Sequence, residues 1–76
     1  MAKIIIRGWK KGLLKISMTK SIQNNTSLGL AKSKDVTDRV LNGEQVVIDI
    51  ENMDIALKLV NELNQHGAIA EIENVG

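Results

Sequence analysis

The chain has 76 residues and a net charge of +1, with no cysteine, no proline and one aromatic side chain, Trp9. It is long enough for one domain at most, near the lower size limit for folding without staples, and neither disulfides nor thiolate–metal sites are available to help. A hydrophobic share of 43% is that of an ordinary globular chain and argues against disorder; no apolar run nears the roughly eighteen residues of a membrane span, and "MAKIIIRGW" is too short and too early charged for a signal peptide.

These limits leave a soluble cytoplasmic domain spanning residues 1–76, with an aliphatic core. "KIIIR", Lys3 to Arg7, is a β-branched run and predicts a strand. "GWKKG" follows as a loop with a glycine at each end. "LLKISMTKSIQ" is ambiguous, because Leu14, Ile16 and Met18 alternate like a strand while Leu14, Met18 and Ile22 repeat at helical spacing. Its length favours a helix. "NNTS" is a turn cluster. From Leu28 a second helix is expected, with Val36, Val40 and Leu41 on one stripe and Asn42-Gly43 as its stop.

"EQVVIDI" predicts a strand, with Val46, Ile48 and Ile50 on one face and Val47 and Asp49 on the other. Asn52 stands at an N-cap position, and Asp54 sits in the first turn, where the helix dipole favours an anion. Ala56, Leu59, Val60 and Leu63 form the buried stripe of that helix, Gly67 ends it, and "AIAEI" closes the chain as a strand. The order β-α-α-β-α-β predicts an α+β two-layer sandwich, a three-stranded sheet covered by three helices. The final strand–helix–strand unit should cross over right-handed and leave its two strands parallel or nearly so.

Charge is distributed unevenly. Residues 1–34 carry Lys3, Arg7, Lys10, Lys11, Lys15, Lys20, Lys32 and Lys34 and no acid, whereas residues 35–76 carry all nine acids against Arg39 and Lys58. Either a basic surface meets an acidic partner, or the two halves neutralise each other across the fold.

Catalytic chemistry is hard to assemble from these residues. His66 is the sole histidine and lies in the last turn of a helix, where it reads as a dipole-complementing surface residue rather than a general base. Metal ligation lacks cysteine and a second histidine, and Asp49, Glu51 and Asp54 match no calcium loop. Gly8 and Gly12 flank lysines without a phosphate-loop pattern. No enzymatic activity and no cofactor are expected.

Gly29, inside "TSLGLAKSKD", should weaken a helix by roughly 1 kcal/mol relative to alanine. Close backbone approach, a special dihedral or a contact surface would justify it. "TSLGLAKSKDV", the helix to "LNG", the strand, the Asn-capped helix and "HGAIAEIE" together resemble the C-terminal domain of the bacterial ribosomal stalk protein. Thr26, Leu28, Gly29, Leu30, Lys34 and Asp35 fall on the family pattern in register; so do Ala56, Leu59, Leu63 and Gly67, with Asn52 in place of a capping serine. Upstream, the ungapped match aligns Gly12, Lys15 and Lys20, so it covers nearly the whole chain.

The resemblance implies that Leu13–Ile22 is a helix and that the Leu-Gly-Leu segment joins two closely meeting helices, which requires a small residue at the corner. It also implies that the exposed side of these helices docks a translational GTPase through Lys15, Ile16, Thr19, Lys20, Gln23, Gly29 and Lys34. Charge leads independently to a cationic face there, since Lys15, Lys20 and Lys34 belong to the basic half. Thr19 departs from an aliphatic contact residue of the family, and Gln23 from an arginine whose loss costs binding energy if it was a hot spot. Met1 stands almost directly before the first predicted strand, so no counterpart of the family's dimerisation domain and Ala-rich hinge is expected. The expectation is a freestanding relative or one part of a larger assembly.

The same architecture occurs in the adaptor that hands substrates to the Clp protease, but "RGWKKG" occupies the place of that family's Asn-Asp-Asp turn. The competing reading is that the fold is reused as an immunity-type or adaptor protein that binds and blocks or delivers another protein. Nucleic-acid binding through the same lysines lacks stacking aromatics other than Trp9 and any groove-reading motif. Trp9 is either an interface anchor or, the favoured reading, a lid or partly buried edge of the core. If Val47 and Ile69 are uncovered on the second sheet face, self-association as a homodimer through that face is expected.

Overall fold

The computed structural model describes residues 2–73; Met1 and residues 74–76, which the single-domain reading also includes, lie outside the described residues. The elements run β1 (Ala2–Trp9), α1 (Lys15–Asn25), α2 (Gly29–Leu41), β2 (Val46–Ile50), α3 (Met53–Gln65) and β3 (Ala68–Glu73). This is the expected α+β order. The ambiguous "LLKISMTKSIQ" segment is helical, because Met18 and Ile22 then both reach the core, where they are fully buried. Leu14 leaves the expected stripe: it precedes the helix, 54% exposed, and its N–H donates to the His66 carbonyl at 2.9 Å.

β1 is the central strand of a sheet ordered β2-β1-β3 and pairs antiparallel with both neighbours. β2 and β3 therefore run in the same direction, as expected of the last strand–helix–strand unit, with β1 between them. Strand alternation sends Ile4, Ile6, Ile48, Ile50, Ala68 and Ala70 to one side, where they are buried with Val36 and Val40 of α2 and Ala56, Leu59 and Leu63 of α3. Val60, assigned to the buried stripe of its helix, is only half-buried, as are Leu41 and Val46. Each fully buried leucine stabilises the fold by about 1.5–3 kcal/mol. α3 starts as its sequence indicates: Asn52 Oδ1 accepts from the backbone N–H of Asp54 at 2.8 Å and of Ile55 at 3.3 Å.

Among the described residues the other side of the sheet carries no helix. Lys3, Arg7, Val47, Asp49, Ile69 and Glu71 are exposed there, with Val47 at 54% and Ile69 at 41%. Arg7 Nε donates to Glu71 Oε1 at 2.7 Å, and this hydrogen bond, with the carboxylate's charge, raises the guanidinium further above its ordinary range.

One sequence expectation fails at the end of β1. "GWKKG" is not wholly loop, since the strand continues through Trp9. A register shift between Ile6 and Gly8 changes the strand's parity: Gly8 pairs with Ile69, and Trp9 pairs with the buried Ala68. Trp9 thus takes the core side of the sheet at its end, 45% exposed, as an edge rather than a complete lid.

Gly29 is also corrected. A Cβ there would meet nothing within 4 Å, so no close approach demands a small residue. Its φ is +79°, and this left-handed turn into α2 is what requires glycine. At Gly67 both demands hold, with φ +98° and a Cβ position only 3.0 Å from Leu13 Cα. Gly29→Ala should cost about 1–2 kcal/mol from the dihedral alone, and Gly67→Ala should cost more because the Leu13 backbone must also move. Urea unfolding of the two variants checks the order; a cheaper Gly67→Ala would contradict it.

Candidate functional site

α1 packs chiefly against α2 and α3, while α2 and α3 lie on the sheet. Its apolar anchors are Met18 and Ile22, and side-chain hydrogen bonds run from it to both neighbouring helices. Thr19 Oγ1 lies 2.8 Å from Thr37 Oγ1 of α2. Ser21 Oγ lies 3.1 Å from His66 Nε2 at the end of α3, and Asn25 Nδ2 donates to Glu62 Oε1 at 3.3 Å. His66 is accordingly a half-buried link between α3 and α1, not the surface residue its position implied.

On the solvent side, α1 and α2 leave a groove of about 440 Å³ lined by Lys15, Ile16, Thr19, Lys20, Gln23, Leu30, Lys34, Thr37 and Asp38. Helical geometry explains the set. Lys15, Thr19 and Gln23 form one i, i+4 row on α1, with Ile16 and Lys20 beside it; Leu30, Lys34 and Asp38 form the facing row on α2. Six of the seven positions named from the sequence are thus brought together. Gly29 is not among them, because its part is to turn the chain into α2.

Leu30, Thr37 and Asp38 were not named. Leu30 and Asp38 could have been found from their i, i+4 relation to Lys34. Thr37 carried no such signal, since it is 2% exposed and reaches the groove only as part of its floor. Its hydroxyl has one proton for two acceptors, Thr19 Oγ1 at 2.8 Å and the Ser33 carbonyl at 3.2 Å, and it is the donor to Thr19 when Thr19 gives its own proton to the Lys15 carbonyl. Ser33, fully buried, donates to the Gly29 carbonyl at 2.6 Å. Thr19 Oγ1 also bonds the Lys15 carbonyl at 2.9 Å. Thr19 therefore has a structural role, because its hydroxyl ties the two helices together under the groove.

The rim is cationic. Lys15, Lys20 and Lys34 make no salt bridge among the described residues, and Asp38 is the only acid lining the groove. Arg7–Glu71 is the one ion pair joining the basic and acidic halves among the described residues; Arg39–Asp35 lies within the second half. Cross-fold neutralisation therefore does not account for these lysines. Between them lie Ile16, 74% exposed, and Leu30, 56% exposed. The arrangement can hold an apolar side chain flanked by carboxylates. Among the described residues no group of three or more His, Asp or Glu is placed to hold a metal ion, and no helix is long and apolar enough to cross a membrane.

The chain matches no protein-family model, no curated protein and no solved structure.

Thr37→Val keeps the volume and removes the bond to Thr19. It should cost about 0.5–1.5 kcal/mol, with faster amide exchange along α1 than along α3. Unchanged stability would show that the threonine pair does not tie α1 to α2.

Proposed function

We propose that the chain is a non-enzymatic protein-binding module whose α1–α2 groove docks an acidic protein surface. The observation that carries this reading is the strip formed by Ile16 and Leu30 inside a rim of Lys15, Lys20 and Lys34. Exposed aliphatics between like charges cost solubility and gain nothing within the monomer, whereas a partner with an apolar anchor and flanking acids would use both. The lysines would speed encounter and set orientation, and the aliphatic strip would supply most of the affinity.

The resemblance to the ribosomal stalk domain, stated above on "TSLGLAKSKD" and its flanks, points to a translational GTPase as that partner. Leu30 and Ile16 offer the apolar contact that Thr19 no longer provides. Gln23 in place of an arginine removes one candidate hot spot, so the expected affinity is modest.

Purified chain and a Lys15→Glu/Lys34→Glu variant, titrated separately against elongation factors by calorimetry at low salt, test the reading. Both lysines are exposed, so the variant should fold as the parent does. Dissociation constants on the order of micromolar for the parent, about −8 kcal/mol, and no binding by the variant are expected. Absence of binding to every elongation factor would exclude the GTPase and favour an immunity-type or adaptor role. Equal binding by parent and variant would exclude the groove.

A further inference from the structure

The two free edges of the sheet are not equivalent. On β3, Ala70 N–H donates to Asn64 Oδ1 and Asn64 Nδ2 donates to the Ala70 carbonyl, each at 3.0 Å. This carboxamide from α3 stands where the peptide group of an added strand would stand, and it closes the middle of that edge. β2 has no such cover. Among the described residues, β1 is the only hydrogen-bonding partner of the Val46–Ile50 backbone.

A groove of about 430 Å³ adjoins that open edge. Four consecutive residues, Ile48–Glu51, form one wall, and the α1–α2 corner, Asn25–Leu28, forms the other, with the capping Asn52 and Ile55 of α3 completing it. It shares no lining residue with the lysine-rimmed groove. Its only charged lining residues are Asp49 and Glu51, both exposed. Asp49 sits on the outer sheet face opposite Lys3, while Ile48 and Ile50 point to the core side.

We propose that the β2 edge is a strand-addition site for an extended, basic segment of a partner protein. The segment's backbone pairs with Val46–Ile50, and its alternate residues divide between two environments. Apolar side chains lie over Leu28 and Ile55; lysine or arginine side chains lie beside Asp49 and Glu51. A second copy of this chain is a poorer occupant. In the full-length antiparallel β2–β2 register each Asp49 lies opposite Val47 and diagonal to its copy on the same face, so the pairing gains no charge complementarity across the seam, the neighbouring cation Lys3 being already opposite Asp49 on β1. This site stands independently of the role proposed for the α1–α2 groove.

The test titrates ¹⁵N-labelled chain with a synthetic heptapeptide alternating lysine and valine. Two further peptides carry N-methyl groups, one on the lysines and one on the valines. Each removes the N–H donors of one strand edge while preserving charge and side chains. Amide shifts should move at Val46–Glu51 and Asn25–Leu28, and one N-methylated peptide should bind about tenfold more weakly or worse while the other matches the parent. An Asp49→Lys/Glu51→Lys variant should also bind the parent peptide about tenfold more weakly. Equal binding of all three peptides, shifts confined to other surfaces, or no shift at millimolar peptide would overturn the proposal. So would a dimer of the free chain with β2 at its interface.

Discussion

The placement of α1 is the constraint from which the rest of the molecular surface follows. The sheet face is occupied by α2 and α3, so α1 must be held by two helices rather than by strands. Two fully buried side chains, Met18 and Ile22, do most of this, and Thr19, Ser21 and Asn25 add hydrogen bonds to Thr37, His66 and Glu62. A segment whose apolar residues fit two periods becomes a helix because only the helical arrangement satisfies both neighbours. Since α1 spends its apolar and hydroxyl groups inward, Lys15, Ile16 and Lys20 remain outside, beside the matching row on α2.

Charge separation along the chain thereby becomes charge separation in space. The basic N-terminal half supplies the lysines around the helical groove, and the acidic half supplies Asp49 and Glu51 beside the β2 edge. If both surfaces act as proposed, the helical groove takes an acidic partner and the strand edge a basic one, and this difference in chemistry would disfavour exchange of partners between them. Asn64 adds to this by closing the middle of the β3 edge, so that among the described residues β2 is the more open strand.

The fold was largely legible in the sequence where β-branched runs, the Asn52 cap and the Leu59–Leu63 stripe spoke with one voice. It was less so where one residue type serves two purposes. A glycine demanded by a positive φ and a glycine demanded by close packing look the same in a sequence, and Gly29 was assigned the wrong demand for that reason. The end of β1 was hidden because Gly8 and the lysine pair resemble a turn, while the register shift that reverses the parity of Trp9 leaves no sequence pattern. At the groove, the α1 positions and Lys34 came from the resemblance and the charge asymmetry. Thr37 stayed out of sight because it is a buried floor residue, visible only once two helices are juxtaposed. The Asn64–Ala70 pairing is equally a matter of tertiary placement, a side chain six residues away in sequence standing in for a strand.

The most direct test of the docking account is a chemical-shift map of ¹⁵N-labelled chain titrated with an elongation factor GTPase. The account predicts perturbed amides along Lys15–Gln23 and Leu30–Asp38, with the outer sheet face and the exposed side of α3 unmoved. Perturbations centred on α3 or on the sheet, with the two helical rows silent, would contradict it.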